Sequence, residues 1–185
     1  MAETHTYCSF VSGLDADNVH RHYHDNEYGF PIESDDALFG RLVLEINQAG
    51  LSWTTILNKK DNFRKAYAGF KIEKVAAFTE ADRARLLADA GIIRNKLKVN
   101  AAIHNAQVIV GLQKAHGSFK AWLDLNNPLS REAWVKLFKR TFKFTGGEIT
   151  NEFLLSSGYL PGAHADQCEA MEKIKALNPP WMRAV

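Results

Sequence analysis

Apolar residues recur along this chain at intervals of three and four, and no stretch alternates with period two for long enough to make a strand. The clearest case is "ESDDALFGRLVLEINQAG". Ser34 and Asp35 give a capping signal there, and Leu38, Phe39, Leu42, Val43 and Ile46 follow at helical spacing. "NFRKAYAGF" and "IEKVAAF" read as short helices. "TEADRARLLADAG" opens on Thr79 as N-cap, carries an acidic first turn and is expected to stop at Gly91, the residue type that most often ends a helix. A long helix over "NKLKVNAAIHNAQVIVGLQKAHG" follows a very short connection, and "SREAWVKLFKRT", "EITNEFLLSSG" and "HADQCEAMEKIKAL" complete the set. "LDLNNPL" reads as the clearest loop. An all-α fold of about eight helices is expected.

The 185 residues suffice for one domain, 1–185, with a buried core. A composition 46% hydrophobic and 24% charged is that of an ordinary globular chain. The net charge of +2 permits a nucleic-acid partner without arguing for one. The apolar runs are far shorter than a membrane span and "MAETHTYCSF" has no apolar signal core, so a cytoplasmic protein without membrane association is expected. In that compartment Cys8 and Cys168 read as free thiols or metal ligands rather than as a disulfide. No obligate protein partner is implied.

One residue interrupts the pattern. With about 100° per residue and Leu38 set at zero, the apolar stripe spans roughly 0–140°, and Glu45 falls about 20° outside its edge. That position suits a glutamate snorkelling to solvent as well as a carboxylate at the floor of a pocket.

Three constellations bear on the choice. In "AGIIRNKLKVNAAIHNA" two helices meet through a short Gly-containing connection, a helix-hairpin-helix at about residues 80–106 that would present backbone N–H groups to a phosphate. Arg94, Lys96 and Lys98 add charge beside Gly91, although an ordinary αα-hairpin has the same outline. "HADQC" places His164 and Cys168 four apart, as if on one face of a helix, and Cys8 with His24 would complete a tetrahedral Cys₂His₂ site joining both ends of the chain. His5, His20 and His22 are alternative ligands. Tyr23, Tyr28, Phe10 and Trp53 supply flat apolar faces around Glu45, which would suit a nucleobase, though aromatic residues more often fill a core.

Together "YHDNEYG", "LEINQAGLSWTTILNKKDNFRKA", "KVAAF", "DAGIIRNKLKVNAAIHNA" and the late "HADQC" resemble the 3-methyladenine DNA glycosylase I family, in order and spacing from Cys8 to about Ala106 and again from "FKFTGGEITNEF". The resemblance implies a helix-hairpin-helix DNA glycosylase fold and a monofunctional enzyme that cuts the N-glycosidic bond of 3-methyladenine in alkylated double-stranded DNA. It also implies a structural Zn2+ held by Cys8, His24, His164 and Cys168. Glu45 would be the catalytic, base-recognising carboxylate, Tyr23 a contact to the base edge, and Trp53 its stacking partner. Phe10 and Tyr28 stand where the family usually has tryptophan, and Gly50 and Leu51 would face the gap left in the duplex. The segment from Ser118 to Arg140 departs from the family pattern, and so do "SGYLPGAH" and Ile46. Asp124 receives no catalytic role and no lysine reads as a Schiff-base nucleophile, so lyase activity is not expected. A divergent member that binds DNA, or excises a different modified base, is the alternative.

Overall fold

A computed structural model describes residues 6–183; His5 lies outside them. Among the described residues there are twelve α-helices and no strand. They are α1 (Tyr7–Ser12), α2 (Val19–Asn26), α3 (Asp35–Gln48), α4 (Trp53–Ala66), α5 (Ile72–Ala76), α6 (Glu80–Ala88), α7 (Lys96–His116), α8 (Phe119–Asn126), α9 (Arg131–Thr141), α10 (Gly147–Ser156), α11 (Glu169–Ala176) and α12 (Pro180–Arg183). The count exceeds the expected eight because the terminal segments form the short helices α1, α2 and α12, and the internal segment before Asn127 forms α8, each with an apolar pattern too brief to register as periodic.

Local chemistry fixes most helix starts. Ser34, Ser52, Asn95, Ser118 and Ser130 each accept a backbone N–H of the first turn through the side chain. Two expectations fail at helix ends. "NFRKAYAGF" is not a separate helix but the end of α4 and a 3₁₀ turn over Ala68–Phe70, since nothing breaks the helix before Tyr67. "LDLNNPL" is mostly helix, because α8 runs to Asn126 before the chain turns.

Helix α3 is the axis of the fold. It packs against α4, α5, α7, α8 and α10, so its ten residues from Leu38 to Asn47 are all buried, not only the stripe that the spacing marks. The core around it includes Phe39, Phe63, Tyr67, Phe119, Trp134, Phe138 and Phe153. Gly40 lets α3 approach the Phe70 ring, since a Cβ there would lie 2.7 Å from it. Gly40→Ala is expected to cost about 1–3 kcal/mol by forcing that buried ring aside, measurable by denaturant unfolding; an unchanged midpoint would show that the ring moves freely.

A buried turn of α3 carries two charged residues, Arg41 and Glu45, four positions apart. Glu45 is 4% exposed, which excludes the snorkelling position. Burying a charged group is costly without partners, so the surroundings of these two residues decide what they do.

Candidate base-binding cleft and metal centre

Glu45 projects from α3 into a cleft of about 330 Å³ that it shares with Tyr7, Tyr23, Tyr28, Gln48, Trp53 and Glu152. Helix α2 supplies Tyr23, whose ring meets Trp53 edge-on at 5.2 Å between centroids and Tyr28 at 5.7 Å. The Trp53 Nε1–H is buried and finds no acceptor among the described residues, leaving a donor for a ligand. Tyr7 occupies the aromatic wall where Phe10 was expected. Phe10 is 51% exposed, lies outside the cleft lining and stacks on the far side of Tyr7. The aromatic face is thus displaced to a residue one helical turn earlier, and adjacency to Cys8 is the only sequence signal that could have marked it.

The cleft is polarised from behind. Arg41 Nη1 donates to the Tyr23 hydroxyl at 2.6 Å and Nη2 to Glu27 Oε2 at 3.3 Å, while Lys60 also pairs with Glu27. A hydroxyl that accepts from Arg41 keeps its own proton for the cleft, so Tyr23 is set as a donor. Glu45 accepts from Ser156 Oγ at 3.3 Å. Burial, reinforced by the neighbouring Glu152 and opposed by Arg41, pushes its pKa up to about 8. A flat ligand bearing positive charge and an N–H donor is what such an arrangement favours.

Gly50 and Leu51 form an exposed loop between α3 and α4, flanked by the cleft residues Gln48 and Trp53, with Gly50 in the left-handed region at φ 79°. Lys98 was expected among the phosphate-facing charges, but it is 4% exposed and donates to the carbonyls of Asn47 at 2.8 Å and Ala49 at 2.6 Å. Its ammonium caps the carboxy-terminal end of α3, where the free carbonyls and the helix dipole attract a cation. Lys98→Met should therefore cost about 1–3 kcal/mol in thermal melts by leaving those carbonyls unpaired, and a neutral result would mean that water replaces the ammonium.

The connection between α6 and α7 comprises residues 89–95, longer than the sequence suggested, because α6 ends at Ala88 rather than at Gly91. Gly91 is required by proximity instead of by a left-handed turn. Its N–H donates to Asp89 Oδ1 at 2.7 Å, and a Cβ would meet that oxygen at 2.9 Å. Arg94 and Lys96 are exposed beside it, and Lys59 braces the connection by donating to the Ala90 and Gly91 carbonyls.

A second cluster lies behind Tyr28. One ligand atom each from Cys8, His24, His164 and Cys168 falls within 4.8 Å of all the others. The resolved edges are 3.1 Å between the two imidazole nitrogens and 3.6, 3.7 and 3.7 Å between sulfur and nitrogen. A tetrahedral ion with bonds of about 2.3 Å to sulfur and 2.0–2.1 Å to nitrogen spaces its donors about 3.3–3.8 Å apart, so the set fits. The outer nitrogens are also committed: His24 Nδ1 lies 2.7 Å from Asp25 Oδ1 and His164 Nε2 lies 2.6 Å from the Tyr28 carbonyl. Those bonds leave His24 Nε2 and His164 Nδ1 with free lone pairs facing inward. His164 and Cys168 do not share a helix face; Cys168 is the N-cap of α11 and His164 lies in the preceding loop. His20 is engaged by Tyr7 and Thr54, and neither it nor His22 joins the cluster. Gly29 lets the chain pass, with φ 81° and the Ala163 Cβ only 2.8 Å from where its own would stand.

The chain is similar to known proteins over most of its length. A family model for methyladenine glycosylases matches residues 14–126. DNA-3-methyladenine glycosylase 1 of Escherichia coli (strain K12) is 36% identical over 170 residues, covering 82% of this chain and 89% of that protein. A crystal structure of a substituted 3-methyladenine DNA glycosylase I in complex with 3-methyladenine superposes with a TM-score of 0.78 at 32% identity, covering 89% of this chain and 97% of its own. The Staphylococcus aureus protein described for its recognition of 3-methyladenine gives 0.77 at 32% identity, with 89% and 96% covered.

Proposed function

The chain belongs to the methyladenine glycosylase family, and from that premise we infer that it is a monofunctional DNA-3-methyladenine glycosylase, a hydrolase that excises the alkylated base in DNA repair. The observation that carries the inference is the convergence of Glu45, Tyr23 and Trp53 on one cleft. A module that only gripped phosphates would need none of them.

An adenine methylated at N3 is cationic while still attached to the sugar, which weakens its glycosidic bond. When that bond breaks, its electron pair stays on the base nitrogen and neutralises the ring, and water adds at the sugar carbon and releases a proton to solvent. The protein has mainly to hold the flipped base and favour its charge. Glu45 accepts from the exocyclic amine and stabilises the cation, Tyr23 offers its hydroxyl proton, and Trp53 with Tyr28 and Tyr7 stacks on the ring. Extrusion costs on the order of a few kcal/mol, which stacking and phosphate contacts offset. Gly50 and Leu51, flanked by the cleft residues Gln48 and Trp53, are suited to filling the gap that the base leaves. The connection around Gly91, Arg94 and Lys96, read as the hairpin of a helix-hairpin-helix, grips the backbone of alkylated double-stranded DNA.

We assign Zn2+ to the Cys8, His24, His164 and Cys168 cluster. When bound, it supplies folding energy and no chemistry at the base, since the ligand set is complete without a substrate position. The chain works as a single domain in a reducing compartment, where Cys8 and Cys168 stay free of a disulfide. Among the described residues no helix is long and apolar enough to cross a membrane.

The test is chromatographic release of free bases from methylated duplex DNA. Release of 3-methyladenine supports the reading; retention of duplex binding with no base released would replace it by that of a DNA-binding relative.

A further inference from the structure

Glu152 was not among the residues that the sequence singled out, and the reaction as described makes no use of it. It stands on α10, one turn before Ser156, and faces the same cleft as Glu45. Its contacts are weak for a half-buried carboxyl. The Tyr28 hydroxyl donates at 3.4 Å and Asn151 Nδ2 at 3.4 Å, and no cation pairs with it among the described residues. The nearest charges on its own side, Glu148 of α10 and Arg131 of α9, are exposed and pair with each other at 3.5 Å.

The charges of the cleft do not balance. Glu45 of α3 and Glu152 of α10 line it; behind it stand Arg41 of α3, Glu27 at the end of α2 and Lys60 of α4. Arg41 and Lys60 are both drawn to Glu27, so their two positive charges are set against three carboxyls. The buried tyrosines stay protonated, burial raising each of them, and contribute no charge. With Glu45 and Glu152 both ionised, the cleft is one positive charge short.

Resting on the glycosylase reading, we propose that Glu152 is a second base-facing carboxylate and a specificity residue, whose extra negative charge makes the cleft select cationic N-alkylpurines over neutral purines of the same shape. The cation completes the balance on entry, while a neutral purine leaves the negative charge of the cleft uncompensated. Burial raises the pKa of both carboxyls, and the charge of Glu152 adds to the rise at Glu45. Glu45 accepts from the base edge and Glu152 acts through charge.

The test measures binding by quenching of tryptophan fluorescence with two probes. One is 3,9-dimethyladenine as its cation, which mimics the flipped nucleotide, and the other is neutral 9-methyladenine. Wild type should prefer the cation by at least tenfold. Glu152→Gln keeps the size and one of the two accepting oxygens, and should lose about tenfold for the cation while changing the neutral probe less than twofold. Glu152→Ser, a smaller neutral variant, should show the same split. Equal losses for both probes, no loss, or no cation preference in wild type would each overturn the proposal. Base release from methylated duplex DNA, run in parallel, separates the two readings. Cation selectivity lost in Glu152→Gln without any base release by wild type would remove the glycosylase and keep the selectivity site. Base release by wild type with unchanged selectivity in the variant would do the reverse.

Discussion

Glu45→Gln is expected to lower 3-methyladenine excision by about a hundredfold or more, the scale on which a preorganised electrostatic group contributes to a reaction. The same substitution should stabilise the fold at alkaline pH. The folded-state pKa of Glu45 is pushed up to about 8 from the ordinary 4.5, so the neutral form is the one that folding favours. The stability due to this group is therefore fully present below pH 4.5 and is lost as pH rises through 8. Glutamine is neutral throughout and escapes that loss, on the order of a few kcal/mol by pH 8. Melting curves of the two proteins should nearly coincide near pH 4.5 and separate by several degrees near pH 8, the variant melting higher. A variant that unfolds, or a gap that does not change with pH, would show that Glu45 braces the core rather than waiting for a cation. Excision by wild type should in turn improve with pH towards 8, as the carboxylate that the cationic base requires becomes populated.

Removing the metal should have the larger effect on stability. Cys8 and His24 come from the amino-terminal helices, and His164 with Cys168 from the loop before α11 and its N-cap, so an ion bound there would close a loop of nearly the whole chain. Stripping it with a chelator, or substituting Cys168→Ala, is expected to cost about 3–5 kcal/mol and to lower the melting temperature by about 10 °C or more. Metal analysis should find about one zinc per chain in wild type and little in the variant. Excision should fall as well, because Tyr7 adjoins Cys8 and the Tyr28 carbonyl lies 2.6 Å from His164 Nε2, so the aromatic wall shares its anchor with the cluster. A protein that purifies without metal and melts unchanged would remove zinc from the account.

The sequence carried most of the helices and the family. Capping serines, the spacing from Leu38 to Ile46 and the motifs "YHDNEYG" and "QAGLSW" are local statements, and local propensity suffices to read them. It also carried hints of the cleft that are plain in retrospect: Arg41 and Glu45 stand four apart inside an apolar run, as do Glu152 and Ser156 in "NEFLLS", and each pair shares a helix face. What the spacing could not say was which face would meet which. Lys98 is as basic in sequence as Lys96, yet one caps α3 in the interior and the other is exposed, because the position of the α3 end relative to α7 is set by packing fifty residues away. His164 and Cys168 have the spacing of one helix face and reach a common point through a loop and an N-cap instead.

The sequence by itself thus determined an all-helical chain of this family, with Glu45 as its unusual charge, and through the resemblance it pointed to the four Cys and His residues that cluster. Only the tertiary structure decided that Glu45 is buried beside Glu152, that Tyr7 rather than Phe10 walls the cleft, and that Arg41 turns Tyr23 into a donor. Helix periodicity records a preference for burial along one element. Charge balance, hydrogen-bond direction and pKa depend on distances between elements, and those exist only once the chain has folded.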